Sequence, residues 1–201
     1  MVAKKWVLNT HITRLKTIIH FVHSDAQKTR ARFKGVMRCM RTEMDIKFKK
    51  VDVNNNFDKY LEFRKDLYVS EFGSDSGFSD WAERYKGKVL SRIDQGQWFY
   101  IHVWKREKII GQLEFRTFSK KENVGYVHFF YIIKELRGSG ISTFVHDYLV
   151  EQMCAQECKG AVLSVSRENS KALSFYKRLG WSFLRPNCKY KAVDYYKLKL
   201  E

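Results

Sequence analysis

Residues 135–142 read ELRGSGIS, and the fold turns on what this stretch does. Before it stands VGYVHFFYII (residues 124–133), dense in aromatic and β-branched residues, which predicts a strand. After it comes TFVHDYLVEQMCAQE (residues 143–157), where Phe144, Val145, Tyr148, Leu149 and Met153 share one helical face. A strand, a glycine turn and a helix in that order make an anion site. Glycines let backbone N–H groups approach a phosphate with no Cβ in the way, and the helix N-terminus adds about 0.3–1 kcal/mol of dipole. Two familiar phosphate loops do not fit. A dinucleotide fingerprint starting at Gly138 needs a third glycine where Thr143 stands, and a Walker loop needs a Gly-Lys-Ser/Thr that is absent.

Working outward, AVLSV from Ala161 reads as a strand and SKALSFYKRL (residues 170–179) as a helix closed by Gly180. WSFLR (residues 181–185) and AVDYYKLKL (residues 192–200) read as terminal strands. Upstream, MDIKFKKVD (residues 44–52) alternates Ile46, Phe48 and Val51 with lysines like a first strand. NNNFDKYLEFRKDLYVSEFG (residues 54–73) reads as a helix ending at Gly73. SDSGFSDWAERYKGKVLSRIDQGQ (residues 74–97) reads as a loop and second helix, with Asp80 as N-cap and Gly96 closing it. WFYIHVW and KIIGQLEFRTF then form two strands joined by KREK (residues 105–108). Strands precede, separate and follow helices, so the expected class is α/β or α+β with a mixed sheet.

A chain of 201 residues, 44% hydrophobic and 15% aromatic, can bury one good-sized core, which excludes disorder over most of its length. Its net charge of +16 points to nucleic acids, anionic membranes or phosphate-rich ligands without choosing among them. Half of that charge, +8, lies in residues 1–43, where only Asp25 and Glu43 oppose the lysines and arginines. Trp6, Leu8, Ile12, Leu15, Ile18, Ile19 and Val22 nearly follow a helical period there, suggesting a basic amphipathic helix. Three readings stay open for it: an upstream extension the working protein does not need, a surface or partner-binding helix, or a targeting presequence. The expected division is therefore residues 1–43 as a basic extension and 44–201 as the domain. Cys39, Cys154, Cys158 and Cys188 lack metal-site spacing and read as reduced thiols, so no metal and a cytoplasmic setting are expected. No apolar run is long enough for a membrane span.

What remains of the opening stretch, RGSGIS from Arg137, resembles the acetyl-CoA-binding signature Q/R-x-x-G-x-G/A of the GNAT N-acetyltransferase superfamily. Arg137 and Gly140 fit, and Ser142 stands where Gly or Ala is usual. RENSKALSFYKRLGW (residues 167–181) resembles the family's second signature, N-x-x-A-x-x-F-Y-x-x-x-G-F, with Trp181 for the final Phe. The resemblance runs from about Met44 to the C-terminus and is absent over residues 1–43. It implies a GNAT fold whose two central parallel strands splay apart to admit acetyl-CoA as co-substrate. It implies that backbone amides of Arg137, Gly138, Ser139, Gly140, Ile141 and Ser142 cradle the pyrophosphate. The strand end Tyr131, Ile132 and Ile133 would pair with the pantetheine arm, Asn169 would hydrogen-bond it, and Ala172 and Phe175 would pack along it. Read without the family, Ala172, Phe175 and Leu179 are spaced like any buried helix face, and Lys171, Lys177 and Arg178 like a solvated basic one.

For chemistry the resemblance implies Tyr176 as the acid that protonates the departing thiolate. The alternative for Tyr176 is a buried aromatic. Family members with a carboxylate base on the strand of AVLSV would place it near Ser164, where this sequence has none. Glu114 and His128, each polar within an apolar run, are the candidate bases, and satisfied core or edge residues are the alternative for both. The stretch with Glu71, Asp75, Asp80 and Glu83 beside Phe72, Phe78 and Trp81 suggests a cationic amine acceptor, or equally a capped and solvated helix. Other readings remain: a nucleic-acid- or ribosome-associated basic protein, including an acetyltransferase of tRNA or ribosomal protein, or a coenzyme A binder without turnover. Either a monomer or a homodimer is expected.

Overall fold

The computed structural model describes residues 45–200, the side chains of Glu71 and Phe72 apart, so the helix expected within residues 1–43 lies outside the described residues. Strand β1 (Ile46–Lys50) buries Ile46, and the Phe48 ring stacks 3.7 Å from that of Tyr148 and 5.7 Å from that of Phe144. Helix α1 (Phe57–Phe72) is preceded by a turn in which the Asp52 carboxylate accepts the N–H groups of Asn54 and Asn55. Gly73, at φ 72°, closes it by donating to the Val69 carbonyl, as the sequence led us to expect.

Helix α2 (Phe78–Leu90) departs from expectation at both ends. It begins behind Gly77, whose φ of 78° breaks the chain, so Asp80 falls in the first turn rather than at the cap. It ends at Leu90, just after the last buried apolar residue, Val89, and turns carry the chain on to Gly96.

Strands β2 (Trp98–Lys105) and β3 (Lys108–Arg116) form a hairpin reversing over Arg106 and Glu107. They are followed by β4 (Val124–Ile132), α3 (Ile141–Ala155), β5 (Gly160–Ser166), α4 (Ser170–Arg178), β6 (Ser182–Pro186) and β7 (Val193–Lys199). The sheet order is β1-β2-β3-β4-β5-β7-β6, antiparallel throughout except for the parallel pair β4–β5 near its centre. This is the mixed sheet expected. Helix α3 covers the face that carries Phe48, while α1 and α2 cover the other, where Tyr60 and Tyr85 reach Glu114. No helix among the described residues is long and apolar enough to cross a membrane.

Two local features explain residues the sequence left open. Trp181, which stands where the resemblance leads to Phe, is buried, and its indole N–H donates to Nε2 of buried His146 on α3 at 2.9 Å. The extra polar atom is thus satisfied. Gly111 on β3 is needed for close approach: a Cβ there would lie 2.5 Å from both the Tyr131 carbonyl oxygen and Ile132 Cδ1. Gly111→Ala is expected to cost about 1–3 kcal/mol, read as a lower urea midpoint with an unchanged slope.

Candidate functional site

The central feature is a gap between the parallel strands. They pair only from Val124↔Gly160 to Val127↔Leu163. Beyond that β4 continues to Ile132 bonded to β3 alone, and β5 continues to Ser166 bonded to β7 alone. The open edge of β4 past Val127 offers a backbone template that a peptide-like ligand can complete. The gap begins beside a bulge, since Glu114 opposes Phe129 while Phe115 opposes Val127, leaving His128 as the extra residue. A bulge unpairs one residue and re-aims it. On the far side of the gap, Ser164 accepts the Tyr126 hydroxyl at 3.2 Å.

Past the open edge the chain makes one 3-10 turn, Lys134–Leu136, and enters the glycine loop. The Arg137 N–H donates to the Lys134 carbonyl and its Nε to the Ile132 carbonyl at 2.8 Å, so Arg137 ties the loop to the strand end. Ile133 N–H is likewise used, by Ile110. Unpaired amides therefore start one residue later than the resemblance implies. The N–H groups of residues 138–143 have no acceptor among the described residues, and the first bond of α3 runs from Phe144 N–H to the Gly140 carbonyl. Gly138 (φ 83°) and Gly140 (φ 88°) adopt backbone conformations that favour glycine, and a Cβ on either would meet open space. Ser139 turns its hydroxyl onto the Leu136 carbonyl, Ile141 buries its side chain, and Ser142 is half-buried. A row of free amides at the start of a 15-residue helix suits a phosphate-rich anion.

Helix α4 packs on the open part of β4. Asn169 caps it, its Oδ1 accepting the Ala172 N–H at 3.0 Å, which leaves its amide donor outside the cap. Ala172 and Phe175 are half-buried, and the Phe175 ring lies 5.7 Å from that of Phe130 on the open part of β4. The Tyr176 ring is 6.3 Å from Phe130, edge on, and packed against Trp181. Burial pushes its phenol well above the ordinary range, so it stays protonated at any working pH. Tyr131 has its ring stacked on Phe63 at 4.8 Å and its hydroxyl on Asp66 at 2.7 Å.

The two candidate bases have opposite surroundings. Glu114 is buried and accepts Tyr60 Oη at 2.5 Å, Arg64 Nε at 2.8 Å, Tyr85 Oη at 2.7 Å and Gln112 Nε2 at 3.0 Å, with a second bond from Arg64 Nη2. Burial alone would raise its pKa, but the Arg64 charge and these donors hold it below the usual carboxylate value. Its lone pairs are committed. His128 is exposed, its ring 4.7 Å from Tyr126 and 5.4 Å from Trp98. Desolvation by the protein packed around it, although its outer surface meets solvent, and the nearby Arg116 charge pull its pKa down to about 4, so it is a neutral imidazole at pH 7.

Among the acidic residues read as attracting a cation, Asp75 is paired with Lys65 at 2.7 Å, Asp80 and Glu83 are exposed, and Glu71 has no described side chain. Sequence reasoning missed the anchors of Glu114. Tyr60 and Arg64 stand one helical turn apart on α1, a spacing that could have flagged them, whereas nothing in the sequence links Tyr85 to Glu114.

Residues 60–181 match the profile of a family described as Acetyltransferase (GNAT) family. The chain is 35% identical over 74 residues to N-alpha-acetyltransferase 30 of Schizosaccharomyces pombe, a match covering 37% of this chain and 45% of that protein. The match thus spans less than half of that relative's length. The crystal structure of PaiA N-acetyltransferase from Thermoplasma acidophilum in complex with coenzyme A superposes with a TM-score of 0.65 at 18% identity, covering 77% of this chain and 98% of that one. Spermidine N-acetyltransferase from Vibrio cholerae, in complex with CoA and spermine, gives 0.62 at 12% identity, covering 77% and 95%. At these identities the two structures speak for the fold.

Proposed function

The chain belongs to the acetyltransferase (GNAT) family, and from that premise we propose that it moves an acetyl group from acetyl-CoA to the amine of an acceptor by direct attack. The observation that carries the reading is the junction of the open β4 edge with the unpaired amides of residues 138–143. One takes a strand-like arm and the other a pyrophosphate, as the two ends of coenzyme A require. Acetyl-CoA supplies the activated thioester. The chain's own groups bind it, orient it and move protons.

The amine nitrogen bonds to the acetyl carbon as the carbon–sulfur bond breaks. A backbone N–H at the His128 bulge, where the ladder to β3 is interrupted, is suited to polarise the carbonyl. Tyr176 gives its proton to the leaving thiolate. His128, neutral and open to solvent, receives the proton that the attacking nitrogen sheds. Glu114 is assigned a positioning role instead, because Arg64 and the two tyrosines hold it as a carboxylate. Asn169 donates its free amide N–H to the arm, and Ala172 and Phe175 line it.

Calorimetric titration with acetyl-CoA tests the reading. Wild type is expected to bind in the micromolar range, and Gly140→Asp to bind roughly tenfold or more weakly, since it sets a carboxylate among amides that bind anions and a side chain at φ 88°. A folded wild type that binds no acetyl-CoA overturns the proposal.

A further inference from the structure

Arg92, Trp98, Arg116, Tyr126 and His128 form a cluster beside the gap for which acetyl transfer alone gives no reason. Trp98 and Arg116 are register partners across β2 and β3, and Tyr126 on β4 is the next partner of Arg116. The guanidinium carbons of Arg92 and Arg116 lie 4.3 Å and 5.4 Å from the centre of the Trp98 ring system. Arg116 also lies 4.9 Å from the Phe118 ring and 5.6 Å from that of Tyr126.

Neither arginine has an ion pair among the described residues, and Arg116 Nε is buried without an acceptor. Two like charges around one indole with an orphaned donor are costly to maintain. Elsewhere the fold does otherwise: the buried Arg64 is given Glu114. An anion arriving with a ligand would supply the acceptor that Arg116 lacks. Trp98 touches His128, the extra residue at the bulge where the gap begins, so an anion held by the two arginines would lie beside the proposed base.

We propose that Arg92 and Arg116, stacked about Trp98, bind an oxyanion carried by the amine acceptor, so that the acceptor is a small amine bearing a carboxylate or a phosphate. The inference rests on the acetyl-transfer reading above. Paired guanidinium forks are the natural receptors for either oxyanion. Binding there also couples to the chemistry. The charges acting on His128 are those of Arg116, Arg64 and Arg92 against Glu114, and an anion between Arg92 and Arg116 cancels part of what keeps it a weak base.

The test measures release of the CoA thiol from acetyl-CoA with three groups of amines: free amino acids, aminoethyl phosphate, and uncharged or cationic counterparts, namely the amino-acid amides and spermidine. An amino acid or aminoethyl phosphate is expected to exceed its uncharged counterpart by roughly tenfold or more in kcat/KM, the size of one desolvated charge-assisted bond. The better of the two names the oxyanion. Arg92→Gln and Arg116→Gln should each remove that preference, mainly through KM, while acetyl-CoA affinity by calorimetry stays within about twofold, which also reports that the variants fold. Acetyl-CoA binding with equal or better use of amides and spermidine, with no turnover of any anionic amine, or with a preference that survives both substitutions overturns the anion subsite alone. A folded wild type that fails to bind acetyl-CoA overturns the proposed function and this inference with it.

Discussion

Glu114→Ala is expected to lower folding stability by about 3–5 kcal/mol, the cost of stranding a buried charge. Arg64 would be left with its guanidinium carbon 4.1 Å from the Phe129 ring and 5.1 Å from the Tyr85 ring and no carboxylate to face. The hydroxyls of Tyr60 and Tyr85 would lose their acceptor at the same time. The exposed pairs Lys50–Asp94 and Lys59–Glu62 should contribute only about 0–1 kcal/mol each, so their removal is the control. Urea midpoints at pH 7 make the comparison. A double variant, Arg64→Met with Glu114→Leu, should recover much of the loss, because the penalty comes from an unpaired charge rather than from the absence of a bond. A loss below about 1 kcal/mol in Glu114→Ala would mean that water reaches the pair and that it does not organise the α1–α2 face.

The same pair predicts a pH dependence of definite sign. The folded-state pKa of Glu114 lies below its ordinary value of 4.5. Its contribution is therefore fully present above that value and is lost as pH falls through the lower, folded-state value. Wild type should lose stability on acidification in that window, and Glu114→Gln should show a shallower slope there.

Tyr176→Phe carries the second large effect. If the phenol protonates the leaving thiolate, its removal should lower kcat by roughly 10²- to 10⁴-fold while acetyl-CoA affinity is kept. The surroundings of Tyr176 make this a clean test. Its ring packs against Phe130, Phe175 and Trp181, contacts a phenylalanine retains, and burial is what raises its pKa. Stability should change by less than about 1 kcal/mol. Unchanged turnover with the amine that the acceptor panel identifies would remove Tyr176 from the chemistry and leave it as a core aromatic. A large loss of stability with no selective loss of kcat would say the same.

How far the sequence could be read differs between the fold and the site. Elements with a strong local signature were legible, such as the aromatic run of β4, the amphipathic face of α3, and the glycines that close α1 and open α3. The start of α2 differs from expectation because Asp80 is a good capping residue by type, while the left-handed Gly77 directly before the first buried helical side chain, Phe78, set the boundary. The run of unpaired amides at the glycine turn was legible to within one residue, since it depends on backbone conformation that glycine advertises. That Arg137 would spend its own N–H on Lys134 depends on the short 3-10 turn before it.

By itself, the sequence determined that this chain builds a mixed sheet with a strand, glycine turn and helix at its centre. Periodicity and glycine placement are local properties, set by which residues are neighbours along the chain. Only the tertiary structure set the surroundings of Glu114 and His128 apart, one saturated by donors from α1, α2 and β3, the other left at a bulge beside the gap. It alone brought Arg92, Trp98, Arg116 and Tyr126 together across three strands and a loop. The protonation and availability of a side chain depend on which charges and donors surround it in space, and these come from segments that are distant along the chain.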